Sequence, residues 1–95
     1  MDFLKELGID DVTITKIKNN NLPSVVRQFI NDRDNVSKII KYMQQVGIQV
    51  VDDLLIRRIE IFSIDYNRLK AAFEKFNKDV LVALVNEDIS AINFL

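Results

Sequence analysis

The chain has 95 residues, 48% of them apolar and 28% charged, with a formal net charge of −1. That size and balance point to one soluble domain with a small core, and the abundance of Ile, Val, Leu and Phe excludes a disordered chain. Cysteine and histidine are both absent, which excludes disulfides, thiolate chemistry and Cys/His zinc sites and removes the commonest general base near neutral pH.

In chain order, Phe3, Leu4 and Leu7 share one face of a short first helix, and Gly8 follows it. A glycine reaches the left-handed conformation that ends many helices without steric cost. Gly8 is therefore read as a stop, with Ile9 closing onto Leu4. Asp10 or Asp11 can cap a second helix with Val12 and Ile17 inward, although "DVTITKI" also alternates as a strand does. "NNNLP" breaks the chain. Pro23 suits the first position of a third helix, where its missing N–H costs nothing, and Val25, Val26, Phe29 and Ile30 are its predicted buried residues.

After the polar "NDRDN", Asp34 or Asn35 can cap a helix carrying Val36, Ile39, Ile40, Met43 and Val46 at helical spacing. Gly47 stops it, and Ile48 should close onto Met43. Residues 50 to 62 read as one helix with Val51, Leu54, Leu55, Ile59 and Phe62 on its inner face. Ser63 or Asp65 then caps a helix bearing Tyr66, Leu69, Ala72, Phe73 and Phe76. Asn77 or Asp79 caps "VLVALV", which is apolar nearly all round and so predicted to be central. "EDISAINFL" offers a short last helix holding Ile89 and Ile92. The expected fold is all-α: a compact bundle or array of six to seven short helices in a single domain, 1–95, or a piece of a longer helical array.

A shift of 39 residues superposes Gly8 on Gly47, Ile9 on Ile48, Val12 on Val51, Ile17 on Ile56 and Ser24 on Ser63. Asn86 falls where a third stop would stand, and asparagine is the next best residue for a left-handed cap. Two readings fit: two and a fraction helical repeats, a period typical of helical arrays, or two helical hairpins that share capping rules. On "LGIDDVTITKIKNNNLPSVV" and "VGIQVVDDLLIRRIEIFSIDYNRLKAAF" the chain resembles the helical repeats of the mitochondrial transcription termination factor family. The resemblance implies a curved stack of repeats that binds nucleic acid along a basic concave surface. Only the first unit has the proline, with Phe62 at the matching place, and no basic surplus is present. No functional residue is carried over from that family.

No motif for catalysis emerges. Asp10–Asp11 and Asp52–Asp53 sit beside turns, where acids favour helix N-termini. Glycine-rich phosphate loops and nucleophile motifs are missing. "DRDN" fails as a calcium loop, because Val36, Ser37 and Met43 stand where an oxygen ligand, a glycine and a glutamate are required. The reading is thus a non-enzymatic chain with no cofactor, no metal and no evident small-molecule substrate. No apolar run reaches the ~18 residues of a membrane span. Asp2, Lys5 and Glu6 interrupt any signal-peptide pattern, so the expected location is cytoplasmic.

The favoured function is a protein-interaction module that binds a protein partner or self-associates. Ile92, Phe94 and Leu95, in the apolar tail, are its candidate interface residues. The alternative is nucleic-acid binding through Lys16, Lys18, Arg57 and Arg58, which requires them to converge on one surface. Residues 1–48 hold seven basic and six acidic side chains and the remainder six and eight, so neither half is strongly positive. Tyr42 and Tyr66 could stack on bases, but their helical spacing suits the edge of a core.

Overall fold

A computed structural model describes the backbone of residues 1–94 and the side chains of residues 1–93. Seven α-helices and two 3-10 segments make up the described chain: α1 (Asp2–Glu6), α2 (Asp11–Asn20), α3 (Pro23–Asn31), α4 (Arg33–Val46), α5 (Val51–Arg57), a 3-10 segment (Ile59–Ser63), α6 (Tyr66–Lys75), α7 (Lys78–Glu87) and a second 3-10 segment (Ile89–Phe94). There is no strand among the described residues. The all-α reading holds, and "DVTITKI" is helical. The radius of gyration is 12.6 Å, with extents of 34 × 24 × 23 Å.

Both glycines end helices as the sequence predicts. Gly8 and Gly47 have φ of +88° and +96°. After Gly8, Ile9 N donates to Leu4 O at 3.0 Å and Gly8 N to Lys5 O at 3.0 Å. After Gly47, Ile48 N donates to Met43 O at 2.9 Å and Gly47 N to Gln44 O at 3.3 Å. This double bond pattern is the Schellman motif, and it satisfies carbonyls the helix end would leave open. Leu4, Ile9, Met43 and Ile48 are all buried in the core.

Side-chain caps start three of the helices. Asp10 accepts from Thr13 N at 2.8 Å, Asp65 from Arg68 N at 3.3 Å, and Asn77 from Val80 N at 3.4 Å. α3 begins at Pro23 as expected. The start of α4 differs, because neither Asp34 nor Asn35 caps it and the N-cap, Asp32, makes no side-chain capping bond; its carboxylate accepts from Gln28 Nε2 at 3.2 Å. Asn35 reaches across the molecule instead. Its Nδ2 donates to Ile64 O at 2.8 Å and Phe62 O at 3.4 Å, and its Oδ1 accepts from Tyr66 N. One amide thus fixes the joint between the first 3-10 segment and α6.

The predicted helix 50–62 breaks at Arg58, whose φ is −134° and ψ 47°. Ile59, Ile61 and Phe62 are all buried. A continuous α-helix would set Ile59 and Ile61 about 200° apart and expose one of them. The break admits all three to the core.

α4 is the central helix. It packs against α1, α3, α5, α6 and the first 3-10 segment and buries Val36, Ile39, Ile40, Tyr42 and Met43. Phe29 links Phe3 at 5.8 Å to Phe62 at 6.4 Å, and Tyr42 meets Tyr66 and Phe73 edge-on. α7, expected at the centre, lies at the periphery against α6 and the last 3-10 segment. The inner face of α2 is Thr13, Ile14 and Ile17, whereas Val12 points to solvent, 62% exposed. Val25 is likewise exposed and Val26 half-buried; α3 anchors through Phe29.

Candidate protein-interaction surface

α7 carries apolar residues on two faces. Leu81, Val82 and Val85 point into the core. Val80 and Leu84, four residues apart and so one above the other on a helix, point outward at 53% and 42% exposure. Phe76, the residue before the Asn77 cap, extends the stripe and is 46% exposed. Asn77 and the edge of Leu81 complete a shallow groove of about 330 Å³.

The 39-residue shift makes this stripe informative. Phe76, Val80 and Leu84 correspond to Ser37, Lys41 and Gln45 on α4. There the same face is polar, and Lys41 and Gln45 are exposed. The outward face is therefore apolar on α7 alone of the two helices. An apolar side chain standing singly on a surface is ordinary, but a contiguous patch marks a contact site.

The tail residues named by the sequence fare differently. Ile92 is 0% exposed and belongs to this chain's own core. The second 3-10 segment, which carries Ile92, packs against α7. The side chain of Phe94 and all of Leu95 lie outside the described residues. Reading the sequence missed the real exposed stripe because composition alone does not say which face of "VLVALV" is covered. A signal was present, however: the polar Ser37, Lys41 and Gln45 mark that face as outward once the 39-residue register is applied.

The basic candidates lie on α2 and at the C-terminal end of α5. Lys16 and Lys18 are both exposed on α2, but two residues on a helix lie about 200° apart, so they diverge. Arg58 is committed locally. Its Nε pairs with Glu60 at 2.6 Å, and a guanidinium N–H donates to Asn93 Oδ1 at 2.6 Å. Arg57 is exposed at the end of α5. Tyr42 and Tyr66 pack edge-on with each other at 6.1 Å, 76° between planes. Burial pushes the Tyr42 phenol above its ordinary value, with Glu74 and Tyr66 adding smaller effects. The adjoining groove of about 460 Å³ mixes Lys70 and Lys78 with Glu74 and Asp79 and so presents no single sign of charge.

Among the described residues, no group of three or more acidic side chains is placed to hold a metal ion, and no helix is long and apolar enough to cross a membrane. Shifted carboxylates serve turns. The Thr13 backbone N–H, then its side chain, holds Asp10 below the usual carboxylate range. The Ser90 hydroxyl, then its backbone N–H, does the same for Asp88, with Ser90 Oγ and N at 2.7 and 2.9 Å.

Over 85 residues, 90% of the chain, the sequence is 31% identical to the breakpoint cluster region protein of Rattus norvegicus, and equally to those of Mus musculus and Homo sapiens. The match spans only 6% of the length of those proteins. No family model matches the chain, and no solved structure matches it.

Proposed function

We propose that this chain is a non-catalytic, cytoplasmic protein-interaction module and that its docking surface is the outward face of α7. The observation that carries this reading is the solvated stripe of Phe76, Val80 and Leu84 on a helix whose α4 equivalent is polar at all three places. Burying such a stripe returns about 25 cal/mol per Å² of apolar surface. Around it the helix ends are capped and the core is closed, so the stripe is available without unfolding anything. The carboxylates that stand out electrostatically, Asp10 and Asp88, are engaged by Thr13 and Ser90, which supports structural rather than catalytic work for them.

A photo-reactive phenylalanine analogue at position 80, compared with the same analogue at position 41, tests the proposal in cells. Protein adducts are expected from position 80 and not from 41. Equal adducts from both, or none from either, would reject the surface.

A second reading is a nucleic-acid-binding helical unit of the transcription termination factor type. It is favoured by the recurrence of helix, glycine turn and helix at a 39-residue interval. Thr13 Oγ1 also donates to its register partner Asp52 at 3.3 Å. The divergence of Lys16 from Lys18 and the engagement of Arg58 weigh against it. A salt titration with duplex and single-stranded probes separates the two readings. True binding gives a log–log slope that counts the phosphates contacted, whereas no binding at low salt removes this option.

A further inference from the structure

Resting on the reading of α7 as a docking surface, we propose that its occupant is α7 of a second copy of this chain, packed antiparallel across a two-fold axis. The stripe is self-complementary in that arrangement. Val80 of one copy meets Leu84 of the other, and the reverse contact follows by symmetry, as an isologous interface requires.

Charge selects the direction. Glu87 lies three residues beyond Leu84 and is exposed, and Asp88 follows it. Lys75 directly precedes Phe76 at the other end of the stripe and is exposed. Antiparallel packing brings Glu87 of each copy to the N-terminal end of the other copy's α7, where Lys75 and the positive end of the helix dipole stand. Parallel packing would set Glu87 against Glu87. Asp79, also near that end, lies about 100° around the helix from Val80, beside the Tyr42 groove, and so faces away from the pairing line. The surface is small. Stable interfaces cover about 800 Å² per partner, so three side chains give a weak, reversible dimer with a dissociation constant on the order of 10⁻⁴ M.

Sedimentation equilibrium of the whole chain, from about 10 µM to about 1 mM, spans that constant. The wild type is expected to pass from monomer to dimer over this range. Leu84→Asp should weaken the dimer at least about tenfold, with the helical circular dichroism of the folded chain retained. Glu87→Lys should weaken it about threefold, and adding Lys75→Glu should restore it. A wild type that stays monomeric at the highest concentration overturns the proposal, as does a dimer indifferent to Leu84→Asp. The mass of the position-80 adduct distinguishes this failure from failure of the docking surface itself. An adduct of twice the chain mass supports the dimer. An adduct with a different protein keeps the surface but rejects the second copy, and no adduct rejects both.

Discussion

A 39-residue shift in sequence lays α4 largely over α7, yet the fold uses the two helices in opposite ways. α4 is enclosed by five elements and buries Ile39 and Ile40 completely. At the corresponding places α7 has Lys78 and Asp79, both exposed. Outward, the relation reverses: Ser37, Lys41 and Gln45 on α4 face Phe76, Val80 and Leu84 in the alignment. A helix is central because of how many neighbours cover it, and its apolar content says only how much must be covered. On α7 that content exceeds the cover, and the excess is what makes α7 the docking candidate.

Paired truncations give the largest test of this contrast. Ile40→Ala should cost about 2–5 kcal/mol, because it empties a fully enclosed site. Val80→Ala should cost about 0.5 kcal/mol or less, as for other exposed positions. Urea unfolding of both variants measures the difference. Comparable losses would mean that α7's outer face is covered within the monomer, and the contrast between the helices would fall.

The two asparagine clasps sharpen the comparison at the next level. Asn35 on α4 holds the joint before α6 through three part-buried hydrogen bonds. Asn86 on α7 grips the Gly47 turn, donating to Gly47 O at 3.0 Å and accepting from Gln49 N at 2.7 Å, in an exposed setting. Buried polar groups left without partners cost about 1–3 kcal/mol, so Asn35→Ala should lose that much, whereas water replaces the bonds lost in Asn86→Ala. Denaturant midpoints in the order wild type, Asn86→Ala, Asn35→Ala are expected. The reverse order would place the more important clasp on α7.

The two glycine turns should respond almost equally. A Cβ at Gly8 would meet nothing within 4 Å, and one at Gly47 would meet only Val82 Cγ1 at 3.9 Å, an ordinary contact. Backbone strain alone then sets the effect, about 1–2 kcal/mol for an L-residue held left-handed. Gly8→Ala and Gly47→Ala should therefore shift thermal unfolding alike. A much larger loss at Gly47 would show that the α4 turn is tied to its surroundings in a way the Gly8 turn is not.

These turns were legible in the sequence because capping is local: a glycine, the isoleucine after it and the apolar residue five before Ile9 or Ile48 suffice. Asp10, Pro23, Asp65 and Asn77 were legible for the same reason. Asn86 was misplaced as a third left-handed stop. It remains within α7, and its amide serves the preceding turn, a contact no local rule anticipates. The break at Arg58 likewise answers to tertiary packing, since Ile59, Ile61 and Phe62 must all reach the core. Ile92 is apolar enough for an interface or for a core, and the packing of the last segment on α7 puts it in the core. That same packing leaves the outer side of α7 open, a face that the polar Ser37, Lys41 and Gln45 mark in the 39-residue register.

The smallest effect compares the starts of α2 and α5. α2 has the Asp10 cap, whereas α5 begins at Val51 after an N-cap, Val50, that makes no side-chain bond. Asp10 is held below its ordinary value of 3.8, first by the Thr13 backbone N–H and then by the Thr13 side chain. A carboxylate whose folded pKa is lowered adds stability above the unfolded pKa and loses it as pH falls through the folded value. Asp10→Asn keeps a capping oxygen but removes the charge. Wild type should therefore exceed Asp10→Asn by a small, constant margin in Tm from neutral pH down to about pH 5, and the margin should close below about pH 4. Because Asp10 is fully exposed to solvent, added salt should shrink the margin as well. A margin that persists to strong acid would show that the charge of Asp10 does not contribute and that the hydrogen bond to Thr13 N alone starts α2, leaving the two helix starts distinguished by geometry and not by electrostatics.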